Sequence, residues 1–333
     1  MDDAVRKFIA RRQARLDAKH SRTDAQWEEN DHPRGEGGKF AKKGSGSAPK
    51  SEKRAEPKKG AVKAPTLPKL KKGASYDPGT QSVMKKLQEK AETDPSVAKV
   101  LRSLTEKDVV YQKDQNGKVT GCIPGLAYKA DNKLQGYSAN AQKEFDRRAA
   151  EAPKIAADMA SISNKVGGTM DGLVHCCKTG TSLSSKIRRK QEKLKENDGI
   201  DATDVEAMEK LDDIVRFTFK CDHDDMAEKC AAFEEELKKS GYEITRRDNK
   251  YLDKDPDYKA IHLQIKSKSG DLIELQIHSQ ESLDVKNVNH DIYDKSRELP
   301  KGSKKRTEME ENMKKRTRGL RNPKGIEKLL PFP

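Results

Sequence analysis

Two lysines and one polar strand face are the parts of this chain best equipped for chemistry. Lys178 and Lys186 stand eight residues apart across the start of a basic amphipathic helix, SLSSKIRRKQEKLKE at 182–196. Ammonium groups beside the open N–H groups of a helix start favour phosphate. The same lysines also fit a solvated helix face. Further along, IHLQIK (261–266) and DLIELQIH (271–278) flank the turn Ser267–Gly270 and read as a hairpin. Strand side chains alternate between faces with period two. Ile261, Leu263, Ile265, Ile273, Leu275 and Ile277 therefore form one aliphatic face, and the other gathers His262, Gln264, Glu274, Gln276 and His278. A solvated face ordinarily carries Lys, Thr and Ser. This one carries amides, imidazoles and a carboxylate, though the pattern by itself fits a wet surface as well.

The elements that position these residues follow from the surrounding pattern. IVRFTFK (214–220) is a strand of β-branched and aromatic residues, and 203–210 reads as a short helix before it. Asp222 to Asp225 offer N-cap chemistry for a helix at 225–239, in which Met226, Cys230, Phe233 and Leu237 share a face and Gly241 is the stop. A last helix spans about 281–297. The order after an opening helix is β-α-β-β-α. The expected fold is α+β, a mixed sheet flanked by helices, over roughly 160–298.

Upstream, 75–159 reads as mostly helical, with helices at 80–91, 94–106 and 138–160, a hairpin at 108–123 around an Asn-Gly turn, and a glycine-rich interruption at Val166–Gly172. From Asn30 to Ala74 glycine, proline, serine and lysine dominate. Such a segment buries too little apolar surface to offset its ordering entropy and reads as a disordered basic linker. Residues 1–29 read as a short helix with Val5, Phe8, Ile9 and Leu16 roughly on one face, and 299–333 as a basic tail.

At this point four blocks resemble the synthetase domain of the RelA/SpoT family, the alarmone synthetases. Lys178-Thr-Gly-Thr-Ser182-Leu183-Ser-Ser-Lys186 is similar to the family's K-S-x-x-S-I-x-x-K. Asp212-Asp213-Ile-Val-Arg216 resembles D-x-x-x-I-R, one residue shorter. Tyr258-Lys-Ala-Ile-His262 resembles G-Y-x-S-x-H, and Glu274-Leu-Gln276-Ile-His278-Ser resembles E-x-Q-I-R-T. Asn289-His290-Asp-Ile-Tyr293 echoes A-H-W-x-Y-K, where helix packing is the expected role.

The resemblance implies transfer of the ATP β,γ-pyrophosphoryl group to the 3′-OH of a guanine nucleotide, or of an RNA end as in toxic relatives of the family. It places Lys178, Ser182, Lys186 and Arg216 on phosphate, and Tyr258 on the guanine ring. His262, Gln276 and His278 become support. Mg²⁺ is the implied cofactor, held by Glu274 and by Asp212 or Asp213, with strand parity favouring Asp212; Glu274 also accepts the 3′-OH proton. The chain departs from the family where its adenine-clamping Arg becomes Cys176, the Arg of E-x-Q-I-R-T becomes His278, and the Gly before the stacking Tyr becomes Asp257. These departures implicate a different grip on adenine, or a catalytically degenerate virion or interaction protein. A shorter segment, W-E-E-N-D-H-P-R-G-E-G-G-K-F from Trp27, resembles phage-derived head-associated proteins and suggests phage head proteins as partners and a phage or prophage setting in the host cytoplasm.

Composition narrows the remaining classes. Across 333 residues the apolar fraction is 32 % and the charged fraction 37 %, too polar for one core to take up the whole length. The net charge of +14 divides into +10 over 1–75, −3 over 76–298 and +7 over 299–333, so nucleic-acid binding is expected of the ends alone. No apolar run is long enough to cross a membrane, and MDDAVRKFIARRQARLDAKH lacks the apolar core of a secretory signal. Five cysteines without zinc spacing read as reduced thiols. Asp222-His223-Asp224-Asp225 lacks the second histidine cluster of a metal hydrolase and reads as the helix cap.

Overall fold

The computed structural model describes residues 65–332 apart from 115 and 257. The expected N-terminal helix, most of the expected linker and the segment from Trp27 lie outside the described residues. The end of that linker does not: Tyr76 Oη donates to the Pro68 carbonyl at 2.8 Å, and Leu67 and Leu70 pack on the core. A chain this polar still docks where two leucines meet an apolar surface.

A small sheet opens the fold. β1 (Ser75–Tyr76) runs parallel to β3 (Val119–Cys122), which pairs antiparallel with β2 (Val110–Lys113) across the Asn-Gly turn. Around it lie α1 (Pro78–Ala91), α2 (Pro95–Ser103) and α3 (Leu126–Ala130). Proline at the first turn and Asp77 and Asp94 as N-caps start the first two helices.

The long helix α4 (Ala139–Lys165) runs through the expected boundary at 159/160. Its buried residues, from Phe145 to Ile162, belong to a core shared by both flanking segments. The described residues on both sides of that boundary are thus one packed unit, because the helix meant to end one region is the roof of the next.

The main sheet has five strands in the order β4-β5-β8-β7-β6, with only β5 and β8 parallel. These are β4 (Thr169–Asp171), β5 (Arg216–Lys220), β6 (Glu243–Asn249), β7 (Ile261–Lys266) and β8 (Leu272–His278). Its apolar face, Phe217 and Phe219 with the six aliphatics of the hairpin, is covered by α4 and α7 (Met226–Lys239); the Phe219 and Phe233 ring centroids are 4.6 Å apart.

Two of these strands escape the sequence pattern, and both for physical reasons. β4 lies in the glycine-rich interruption. A Cβ on Gly168 would sit 2.2 Å from the Phe219 ring, so the glycine marks a close backbone approach at a strand start. β6, EITRRDN, points Arg247 toward the apolar side, where both Glu234 oxygens accept from it at 2.8 and 2.9 Å. A paired charge at an inward position erases the alternation. The helix at α7 also starts differently than expected, since Asp225 occupies the N-cap without a side-chain bond.

The segment 299–333 is no solvated tail. α8 (Gln280–Arg297) is followed by α9 (Lys304–Arg318), packed on α8 through Asn289, whose amide donates to the Met313 carbonyl at 3.1 Å. Phe332 then pairs with Arg247 across the free edge of β6, and Asn249, 1 % exposed, donates to the carbonyls of Ile326 and Leu329. An edge strand needs such a cover, and the basic composition hid it.

An ion-pair network ties α4 to the hairpin turn. Arg147 donates to Glu144 and to Asp271, and Arg148, 5 % exposed, donates to Glu144 at 2.7 Å. The Arg147 hydrogen bond, against burial and helped by Arg148, lowers the Glu144 carboxyl to about 2. A lowered folded value contributes stability that is complete above pH 4.5 and is lost as pH falls toward 2. Glu144→Gln is therefore expected to lower unfolding free energy by roughly 2 kcal/mol at pH 7, screening at the half-exposed Arg147 included. Urea denaturation should show the gap between the two proteins closing as pH falls from 4.5 toward 2. A gap independent of pH would remove Glu144 ionisation from the explanation.

Candidate functional site

The polar face of the five-stranded sheet is where the separated blocks meet. Register places Asp171 opposite Thr218, Arg216 opposite Glu274, Gln264 opposite Glu274 on the other side, and His262 opposite Gln276. One face across four strands thus carries two carboxylates, a guanidinium, two amides and an imidazole.

Lys178 reaches this face through a short antiparallel pairing beside β5. Cys177 bridges Val215, the Lys178 N–H donates to the Ile214 carbonyl at 3.0 Å, and the Arg216 N–H donates to the Cys176 carbonyl at 2.8 Å. α5 (Gly180–Asp198) begins directly after it, followed by the short α6 (Asp204–Glu209). A Cβ on Gly180 would lie 2.1 Å from the Lys133 carbonyl oxygen, so only glycine lets the helix start there. The second turn brings Lys186 back beside Lys178, and both ammonium groups contact Asp213 Oδ2, Lys178 at 3.1 Å. Burial lowers the Lys178 ammonium from its ordinary value, Asp213 opposes, and Arg216 adds to the lowering. Asp213 Oδ1 is buried without a hydrogen bond among the described residues.

The helix start itself is not open. Gly180 N–H donates to the Asp131 carbonyl at 2.7 Å, Thr181 N–H to the Asp131 carboxylate at 3.4 Å and Ser182 N–H to Thr179 Oγ1 at 3.4 Å. The lysine side chains, rather than the helix N–H groups, are therefore what this corner presents to an anion. Ser182 is exposed on the first turn.

The two neighbouring aspartates separate. Asp212 leaves the lysines and accepts from Gln264 Nε2 at 3.0 Å, with Arg246 3.7 Å away. It joins the hairpin side of the face. Its Oδ1 has no partner among the described residues.

Glu274 is the centre of the face. Its Oε1 lies 3.3 Å from His262 Nδ1, and His262 Nε2 lies 3.0 Å from Tyr258 Oη. Burial would raise its carboxyl, but His262, Gln276 and Arg216 outweigh burial and hold it at about 2. With Glu274 ionised, His262 Nδ1 is the ring nitrogen that donates to it, and Tyr258 Oη faces the other ring nitrogen. The Tyr258 ring is tilted 42° to the imidazole at 5.4 Å, on a half-buried loop before β7. That loop is held by the C-terminal segment: Asp255 pairs with Lys314 and Arg318, and Lys259 donates to Asn322.

His278 is fully buried, bonded to Ser282 Oγ at 2.9 Å and to Gln276 Oε1 at 3.4 Å; burial, then the Lys286 ammonium, holds it well below its ordinary value. Cys176 is 1 % exposed in the core. Neither replaces a cation. Arg216 is exposed and makes no side-chain hydrogen bond or ion pair among the described residues. His290 and Tyr293 are exposed on α8.

Sequence reasoning missed Lys286, whose Nζ donates to Gln276 Oε1. Burial, then Arg216, lowers its ammonium, and the Glu274 and Asp171 carboxylates oppose the shift. The available signal was spacing: Ser282 and Lys286 are four apart on one helix face directly after the polar strand.

Among the described residues no group of three or more His, Cys, Asp or Glu is arranged to hold a metal ion by itself. Mg²⁺ usually takes one or two carboxylates and completes its shell with phosphate oxygens and water. Asp212, with its unpartnered Oδ1, and Glu274, ionised at all ordinary pH, fit that requirement. Asp213 does not, having one oxygen on two lysines and the other buried. No described helix is long and apolar enough to cross a membrane.

No family model matches the chain, and no curated protein matches it. Solved structures do. A GTP pyrophosphokinase family protein from Streptococcus pneumoniae is 14 % identical, over 54 % of this chain and 87 % of that one, with a TM-score of 0.39. Small alarmone synthetase 2 from Bacillus subtilis is 15 % identical over 53 % and 90 %, at 0.38. A chain of the complex between the type VI effector Tas1 and its immunity protein is 17 % identical over 55 % and 96 %, at 0.36. Identities and scores at this level leave function to be inferred from the chain's own residues.

Proposed function

We propose that this chain is a RelA/SpoT-like pyrophosphokinase that moves the β,γ-pyrophosphoryl group of ATP to the 3′-OH of a guanine nucleotide or an RNA end. The observation that carries the reading is convergence. Lys178, Lys186, Arg216, Tyr258, His262 and Glu274, drawn from blocks spread over about a hundred residues, share one corner and one sheet face.

The 3′-oxygen of the acceptor attacks the β-phosphorus, the bond from that phosphorus to the α,β-bridging oxygen breaks, and AMP leaves. Glu274 takes the 3′-OH proton, oriented by His262, which Tyr258 in turn fixes. Lys178, Lys186 and Arg216 hold phosphate oxygens as negative charge shifts toward the leaving AMP. Tyr258 supplies a ring face for the acceptor base. Mg²⁺, with Asp212 and Glu274 as its protein ligands, would neutralise charge across the phosphate oxygens.

The test is incubation of the full chain with γ-labelled ATP, Mg²⁺ and GDP, GTP or tRNA. A labelled 3′-product with release of AMP is expected. Absence of transfer to every acceptor overturns the reading. It would favour the alternative suggested by buried Cys176 and His278, a catalytically degenerate interaction component of a phage particle.

A further inference from the structure

Most charges on the polar face are neutralised in place. Lys178 and Lys186 meet Asp213, and Arg246 lies near Asp212. Two cations are not. Arg216 makes no hydrogen bond or ion pair through its side chain among the described residues, and the Lys286 ammonium is bonded to the neutral Gln276 amide oxygen, with the Glu274 and Asp171 carboxylates acting on it from beyond ion-pair distance. Lys286 is half-buried on the second turn of α8, and Gln276, 8 % exposed, lies in the middle of the face. Gln276 is opposite Thr218 of β5, two residues from Arg216.

A covered cation without a counterion is costly unless an anion completes it. The residue that could have supplied charge from β8, His278, is instead a fully buried imidazole spent on Gln276 and Ser282. Beside β8, positive charge therefore comes from the helix that follows it rather than from the strand itself.

We infer that Lys286, together with Arg216, is a polyphosphate-binding cation pair of this site, Lys286 engaging phosphoryl oxygens of the nucleotide through its side chain on α8. The inference rests on the reading of the face as a nucleotide phosphate site but not on catalysis. Lys286 is a binding residue here, and Gln276 positions it.

The experiment is calorimetric titration of the full chain with inorganic pyrophosphate, ATP and adenosine, for wild type, Lys286→Met and Lys286→Arg. Loss of one charge-assisted hydrogen bond is expected to weaken pyrophosphate and ATP binding by about 10- to 100-fold in Lys286→Met. Lys286→Arg should recover most of it, and adenosine binding should not change. Thermal melting separates a structural role. Removing an uncompensated charge should leave the ligand-free melting temperature of Lys286→Met equal to wild type or higher, whereas a packing role would lower it.

Pyrophosphate affinity in Lys286→Met within threefold of wild type overturns the inference, as does a wild type that binds no pyrophosphate. The transfer assay fails independently: a wild type that binds pyrophosphate through Lys286 but transfers nothing removes the enzyme reading and leaves this one standing.

Discussion

Replacing Glu274 by Gln is expected to lower pyrophosphoryl transfer by about 10²–10⁴-fold, the range lost when a positioned general base is removed. The amide keeps the size of the side chain, and the strand ladders to β5 and β7 are made by backbone, so folding should be nearly unchanged. Melting within a few degrees of wild type is the control. Two features set the size of the effect. His262 Nδ1 and Tyr258 hold the carboxylate in one orientation, and the neighbouring charges keep it ionised far below neutral pH. A base held at about 2 is weak in solution terms, so its contribution comes from placement against the nucleophile more than from basicity. Glu274→Asp, which keeps charge but shortens reach, should fall between the two. Full activity in Glu274→Gln, with intact folding, would falsify its role as the base.

Asp213→Asn is expected to cost about 3–5 kcal/mol in unfolding free energy, the loss seen when one partner of a buried pair is removed. Asp213 and Lys178 side chains are each 10 % exposed, so Lys178 would be left charged, covered and unmatched. Lys186 is more open and can turn toward water, so most of the cost falls on Lys178. Two controls sharpen the test in urea denaturation. Pyrophosphate, as a replacement counterion, should stabilise Asp213→Asn more than wild type. The double variant Lys178→Met/Asp213→Leu should regain most of the stability, because a buried pair replaced by apolar groups is often neutral. Asp213→Asn as stable as wild type would show that the corner is wetter than its burial implies.

The two aspartates illustrate what a sequence can and cannot say. Adjacent in the chain, both qualified as metal ligands, with only strand parity leaning toward Asp212. The turn before β5 sends Asp213 to the lysines and Asp212 to Gln264, a split decided by where α5 and β7 stand.

Local chemistry determined a good deal. Period-two alternation over 261–278 specified an aliphatic face and a polar one, since strand geometry admits no other arrangement, and the register confirmed it. The helices at α5 and α7 were likewise legible, from apolar residues at helical spacing. What tertiary structure alone decided was every feature whose local signal is cancelled by a distant partner. Arg247 is tolerated facing the core because Glu234 meets it, Gly168 is a strand start because Phe219 leaves no room for a side chain, and the basic segment after 299 folds because the edge of β6 needs covering. Lys286 belongs to the same class. Its charge looks like any surface lysine in a chain with 69 basic residues, and only the fold places it, bonded to a neutral amide, over the middle of the polar face.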